Sequence, residues 1–167
     1  TNVCSISPKE NNVINIIPES EELGYVGKPK KINKEKILNF INNKQIPIVV
    51  PLGLGDDGRI YNINADVAAG SIAKEIDARR LLLMTDVEGV LDENQKLISE
   101  INLNKANEML KNNIISGGMI PKINTCLDAI SNGVRGVVIV DGRKPHSILF
   151  ELFSDKGAGT LIRKWII

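Results

Sequence analysis

Three short apolar runs, at 46–52, 80–85 and 136–140, punctuate this chain, and each is bordered by stretches whose apolar residues fall at helical spacing. A run with no polar face has nothing to show to water, so each reads as a strand covered on both sides, as in a parallel sheet flanked by helices. The chain is therefore expected to be α/β, a three-layer αβα sandwich with a mainly parallel central sheet. Ligands of such sheets collect beyond the carboxyl ends of the strands, which directs attention to the residues just after Leu52, Met84 and Val140.

Helices are predicted at 33–43, where Ile37, Leu38, Phe40 and Ile41 share a face, at 65–76, 104–110 and 121–131, and near 146–153. Asn64 or Asp66 is suited to cap the second of these. Shorter β-prone pieces at 3–6, 13–17 and 25–26 read as surface hairpins, and 159–162 as a last strand. Gly53, Gly55 and Gly58 satisfy GxGxxG in form, but Asp56 and Asp57 would lie where a pyrophosphate belongs. Asp57-Gly58 is instead expected to be the turn of a hairpin.

The chain has 167 residues and a formal net charge of +1, which gives no basic excess to attract nucleic acid or an anionic membrane. The lysines at 28, 30, 31, 34 and 36 read as a solvated face. No stretch approaches the roughly 18 to 20 apolar residues that span a bilayer. Cys4 and Cys126 are far apart and His146 is the single histidine, so neither a disulfide framework nor a zinc site is expected, and Cys126 reads as core filling in a reducing compartment. The chain opens on Thr1 and enters strand-like sequence directly, so its natural start is expected to lie upstream.

Three constellations can carry chemistry. Asn62-Ile63-Asn64-Ala65-Asp66 sits at a strand-to-helix junction, with Asn62 and Asp66 four residues apart; helix capping explains it, and so does an amide and a carboxylate at a site mouth. Ser116-Gly117-Gly118-Met119-Ile120-Pro121-Lys122 opens a helix, where glycines let backbone N–H groups approach an anion. Lys122 lies at the end of the helix dipole that disfavours a cation, which a bound polyanion would explain as well as plain solvent exposure. Thr85, Asp86, Val87, Glu88, Gly89, Val90 and Leu91 follow a buried strand, where a nucleotide could lie. The chain contains neither GxxxxGK[ST] nor the HRD and DFG motifs of protein kinases.

Taken in order, PIVVPLGLGDDGRIYNINADVAAG, LLLMTDVEGVLDENQKLISE, ISGGMIPKINTCLDAI and VVIVDGRKPHSILFELFSDKGAGTLI resemble the acetylglutamate kinase branch of the amino acid kinase family, from about Leu23 to Ile162. The resemblance implies ATP-dependent phosphorylation of the side-chain carboxylate of N-acetyl-L-glutamate in arginine biosynthesis, with Mg²⁺ accompanying the nucleotide. It implies an acetylglutamate-binding lobe at 1–78 and an ATP-binding lobe at 79–167. By matched positions, Asn62, with Asn64 and Ala65, would bind the acyl amino acid. Asp66 would organise the catalytic lysines, and Lys122 would stabilise the transferring phosphoryl group. Thr85 to Leu91 and Ser116 to Lys122 would hold ATP. A carboxylate acceptor is already ionised at neutral pH, so no catalytic histidine is needed.

His146, Leu149, Glu151, Phe153, Gly157, Gly159 and Thr160 resemble the pattern of arginine-inhibited members, which implies a regulatory arginine held around His146, Glu151, Gly157 and Gly159. A homo-oligomer, dimeric or hexameric, in cytoplasm or plastid stroma is implied too, and some relatives bind a PII-type nitrogen-signalling protein. A sibling kinase acting on glutamate, aspartate, carbamate or UMP is the nearest alternative; a non-catalytic module that binds nucleotide or arginine is the other. The family's KxGG strand and loop, glycine-rich acceptor loop and substrate arginine are not found in this chain. This chain on its own is therefore expected to give no appreciable acetylglutamate-dependent ADP release in a coupled assay, and normal turnover would refute that.

Overall fold

The computed structural model describes residues 2–6, as backbone, together with 12–19 and 24–165. Leu23, where the resemblance begins, and the side chain of Cys4 lie outside the described residues. The chain divides into two compact units, Thr1–Ile76 and Asp77–Ile167.

The first unit runs β1 (Asn2–Ile6), β2 (Ile14–Pro18), β3 (Gly27–Ile32), α1 (Lys34–Asn42), β4 (Gln45–Val49), β5 (Leu52–Leu54), β6 (Ile60–Asn62) and α2 (Ala65–Glu75). Strands β3, β2, β5 and β6 form one sheet in that order, and β1 pairs in parallel with β4 in a second. Alternation along β2 buries Ile14 and Ile16, which join Ile32, Ile37, Tyr61, Ile63 and Ala68 in one core. Glycine at 53 is a packing requirement, since a Cβ there would collide with Ile16 Cγ2. The Asn33 side chain accepts from the N–H of Lys36 at 3.1 Å and starts α1, whose Ile37 points into the core. Lys28, Lys30 and Lys31 are exposed on β3, an outer strand of its sheet. Lys28 pairs with Glu19 at 2.8 Å and Lys30 with Asp56 at 2.6 Å.

The run 46–52 is not the single buried strand expected of it. Strand β4 stops at Val49, and the N–H of Leu52 turns back to the carbonyl of Val50 at 2.7 Å across Pro51. Proline has no ladder donor and restricts the residue before it, so a new strand, β5, begins on its far side. Ile46 and Ile48 are each 53% exposed.

The second unit runs β7 (Leu81–Thr85), β8 (Glu100–Asn102), α3 (Leu103–Lys111), α4 (Met119–Ser131), β9 (Gly136–Asp141), α5 (Ser147–Phe153) and β10 (Gly159–Arg163). The sheet order is β7-β9-β10-β8. Strand β9 is buried along its whole length and pairs in parallel with β7, Thr85 opposite Asp141, while β10 returns antiparallel to β9 and lies parallel to β8. The α/β class holds, but both four-stranded sheets are mixed, because the β5–β6 hairpin and the return of β10 add antiparallel pairs.

Helix α4 starts two residues before the expected 121. The first N–H groups of a helix have no intrahelical acceptor, so Pro121 is accommodated within the first turn rather than at its first position. Cys126, with Ile123 and Ala129, is fully buried on α4. Among the described residues no helix is long and apolar enough to cross a membrane.

Candidate functional site

In the first unit the β6–α2 junction gathers Asn62, Asn64, Ala65 and Asp66. Asn64 Oδ1 accepts from the N–H groups of Asp66 at 3.0 Å and Val67 at 3.2 Å, so this side-chain oxygen caps α2. Asn62 ends β6 with its backbone N–H on the carbonyl of Tyr25 at 2.7 Å and its side chain exposed. Asp66 is half-buried in the first turn of α2, where a carboxylate complements the helix dipole.

The hairpin before this junction is held by a polar cluster. The buried Tyr61 donates its hydroxyl to Asp57 Oδ2 at 2.8 Å, and the N–H of Arg59 donates to Oδ1 at 3.0 Å. The Arg59 backbone bond, then the Tyr61 hydroxyl, lowers the pKa of Asp57, and in return Asp57 raises that of Tyr61. The Tyr25 ring meets Tyr61 edge-on at 5.7 Å and carries the Arg59 guanidinium at 5.7 Å. With Asp57 anchoring this turn between β5 and β6, the glycines form a hairpin rather than a pyrophosphate loop.

In the second unit the loop after β7 is tied to β10 by one hydroxyl. Thr160, fully buried, accepts the N–H of Val90 at 2.8 Å and donates to the carbonyl of Ile98 at 2.6 Å. Gly89 has φ +147°, which glycine alone takes readily, and a Cβ there would lie 2.6 Å from Thr160 Oγ1. At the tip of α4, side chains on Gly117 or Gly118 would meet nothing within 4 Å, so the backbone there faces open space. The N–H groups of Met119 and Ile120 make long turn bonds of 3.3 and 3.2 Å, and Lys122 is half-buried within the first turn.

These two segments close on one cavity of about 250 Å³, lined by Val87, Gly89, Val90 and Leu91 from the first and Ser116 and Met119 from the second. Asp92, Gln95, Ile114 and Ile115 complete it, and the sequence had not singled them out. Thr85, Asp86, Glu88, Gly117, Gly118 and Lys122 are not among its lining residues.

A second set of charges lies at the carboxyl end of β9, just after Val140, where the sheet pattern directs attention, although Asp141 and Arg143 were not named as candidates from the sequence. Asp141, 2% exposed, accepts on Oδ1 from the N–H of Arg143 at 2.9 Å and from its Nε at 3.0 Å, and on Oδ2 from its terminal nitrogen at 3.0 Å. The guanidinium, and next the backbone N–H, lower the Asp141 pKa to about 2. Lys144 reaches Glu88 at 2.6 Å, and the N–H of Gly142 donates to the carbonyl of Thr85 at 2.8 Å, so the loops after β7 and β9 are joined. The signal was present as an aspartate ending an apolar strand with an arginine two residues on.

Glu151, Gly157 and Gly159 line another cavity of about 250 Å³ with Arg80, Glu100 and Lys156. Glu151 is buried, with Oε1 on Arg80 at 3.2 Å and Oε2 on the N–H of Ala158 at 2.9 Å. His146 is exposed, has a left-handed backbone at φ 60° before α5, and is not among the lining residues. Among the described residues no three His, Cys, Asp or Glu side chains gather as a metal site.

Residues 2–141 match the amino acid kinase family. The chain is 58% identical over 159 residues to the acetylglutamate kinase of Pelagibacter ubique, covering 95% of this chain and 55% of that protein. The chain thus spans about half the length of the curated relatives it matches. Among solved structures it resembles the protein smu.665 of Streptococcus mutans, with a TM-score of 0.81 and 32% identity, over 97% of this chain and 61% of that one. The carbamate kinase of Giardia lamblia bound to AMP-PNP is 20% identical with a TM-score of 0.67, over 84% of this chain and 47% of that one, a likeness of fold alone.

Replacing Thr160 by valine strands the buried Val90 N–H and Ile98 carbonyl. It is expected to cost about 1–3 kcal/mol in denaturant unfolding and to speed hydrogen exchange at Val90. Asp141 has a folded pKa of about 2 against an ordinary 3.8, so its stabilisation is complete above the ordinary value and is lost as pH falls through about 2. Acid unfolding of the Asp141→Asn variant, followed by circular dichroism, should lack that part of the pH dependence.

Proposed function

The chain belongs to the amino acid kinase family, and from that membership we propose that it is part of an ATP-dependent acetylglutamate kinase, with ATP held by the second unit and N-acetyl-L-glutamate by the first. The observation that carries the nucleotide half is the single cavity on which the segments 85–91 and 116–122 converge. The names of the curated relatives support the acceptor.

The reaction moves the γ-phosphoryl group of ATP to the side-chain carboxylate. The bond to the β–γ bridging oxygen breaks, its electron pair leaves with ADP, and a carboxylate oxygen forms the new bond to phosphorus. The acceptor needs no deprotonation, so the work of the protein is alignment and charge neutralisation. Lys122 would place its ammonium group against the charge spreading over the phosphoryl oxygens. Asn62 would donate its amide to the α-carboxylate of acetylglutamate, beside Asn64 and Ala65. Asp66 would hold a lysine in position.

Mg²⁺ is bound in such sites by phosphates and one or two carboxylates rather than by a protein cage. That suits a chain with no three-carboxylate cluster among its described residues. Asp86, exposed after β7, is the carboxylate that would meet an ion arriving with the nucleotide and neutralising phosphate charge.

Regulation by arginine belongs to the same proposal. Glu151, Gly157 and Gly159 share a cavity, and Glu151 already holds the guanidinium of Arg80, so an effector would engage that carboxylate by exchange or beside it. Homo-oligomer formation, a PII-type partner and a cytoplasmic or stromal location rest on the resemblance alone.

In the complete enzyme carrying this chain, Lys122→Ala is expected to lower kcat at least about 100-fold, as loss of one oxyanion-stabilising group does. ADP release should require acetylglutamate, with glutamate, aspartate and carbamate poor acceptors. Unchanged turnover in the variant, or preference for another acceptor, would overturn the reading.

A further inference from the structure

Five non-glycine residues among those described have a left-handed backbone: Lys44, Asp77, Gln95, Asn113 and His146. Asn, Asp and His tolerate that conformation, whereas glutamine does not favour it. Gln95, at φ 62°, sits in a tight turn in which its N–H donates to the carbonyl of Asp92 at 3.0 Å and the N–H of Asp92 donates to the carbonyl of Lys96 at 2.9 Å. Asp92 Oδ1 closes the turn by accepting from the N–H groups of Asn94 at 2.8 Å and Lys96 at 2.9 Å. Every hydrogen bond of the turn is thus made by backbone or by Asp92. Glycine would serve at 95 with less strain.

What glycine would lack is the side chain, and Gln95 is one of the residues that line the cavity on which the two nucleotide segments converge. Its neighbours there include Val87, Leu91, Ile115 and Met119, all apolar. At about 250 Å³ the cavity is smaller than the roughly 300–1,000 Å³ of whole-ligand pockets, so it suits one ring system rather than an entire nucleotide. Apolar walls would cover the faces of such a ring, and an amide, which offers both a donor and an acceptor, could read its edge.

We propose that Gln95 reads the edge of the nucleotide base and so selects adenine over guanine. The amide donates to N7 of adenine and accepts from its exocyclic amino group. Guanine presents two acceptors on that edge, one of which would face the amide oxygen. The proposal rests on the assignment of this cavity to the nucleotide.

The test is calorimetric titration of ATP and of GTP into the complete enzyme carrying this chain and into two variants of it, with melting midpoints measured in parallel. Gln95→Gly relieves the strained backbone and removes the amide. Gln95→Glu keeps the shape and the strain but removes the donor. Both variants are expected to raise the Kd for ATP at least about fivefold, the lower end of discrimination by a bidentate base contact. Gln95→Gly should bring the ATP and GTP values within about twofold of each other without lowering the melting midpoint. If the unsubstituted enzyme prefers ATP and both variants keep that affinity and preference, Gln95 is not the reader although the nucleotide assignment survives. If the unsubstituted enzyme binds no ATP, the nucleotide assignment falls and this inference with it.

Discussion

Strand β9 has no residue that faces water, and the second unit is arranged around that demand. A strand buried on both faces needs partners along both edges, which β7 and β10 provide, and helices over its side chains. Its last residue is the aspartate at 141, and burying a carboxylate is unfavourable unless it is paired and hydrogen-bonded. Arg143 meets that requirement with two side-chain bonds and one backbone bond, which fixes the turn leaving the sheet. Lys144 then lies where it can reach Glu88. One buried strand thus sets the edge along which both loops are held.

The elements legible in the sequence were those whose cause is local. The apolar content of β9, the Asp57-Gly58 turn and the cap on α2 depend on residues within a few positions of one another. The break between β4 and β5 was also local, but an apolar pattern counts hydrophobic residues and passes over what Pro51 does to a ladder. Three-residue β8 is too short to carry a period. The ties that shape the candidate sites were not legible for a different reason. Val90 meets Thr160 across 70 positions and Arg80 meets Glu151 across 71, so neither partner announces the other. Family resemblance supplied candidates such as Glu151 and Thr160, and the structure gives each a physical partner.

Capping and ligand binding, posed as alternatives for the segment 62–66, are not exclusive. The oxygen of the Asn64 amide is committed to two backbone N–H groups, which leaves its nitrogen outside that bond pair and Asn62 exposed beside it. In the proposed role, in which Asn62 presents its amide to a ligand, the junction is served by a neighbour that fastens the helix start. The second unit follows the same economy: Thr160 fastens a loop whose other residues line a cavity.

The lysines on β3 bear on behaviour that has no connection with phosphoryl transfer. An outer strand invites another copy of itself to add alongside, and charged side chains along it discourage that approach; Lys28 and Lys30 are paired with Glu19 and Asp56, so the net positive charge of the strand is that of Lys31. Such repulsion reaches about 10 Å at 0.1 M ionic strength and only about 3 Å at 1 M. Concentrated salt therefore removes a guard against self-pairing along this strand, and the chain is better kept in dilute buffer than in brine.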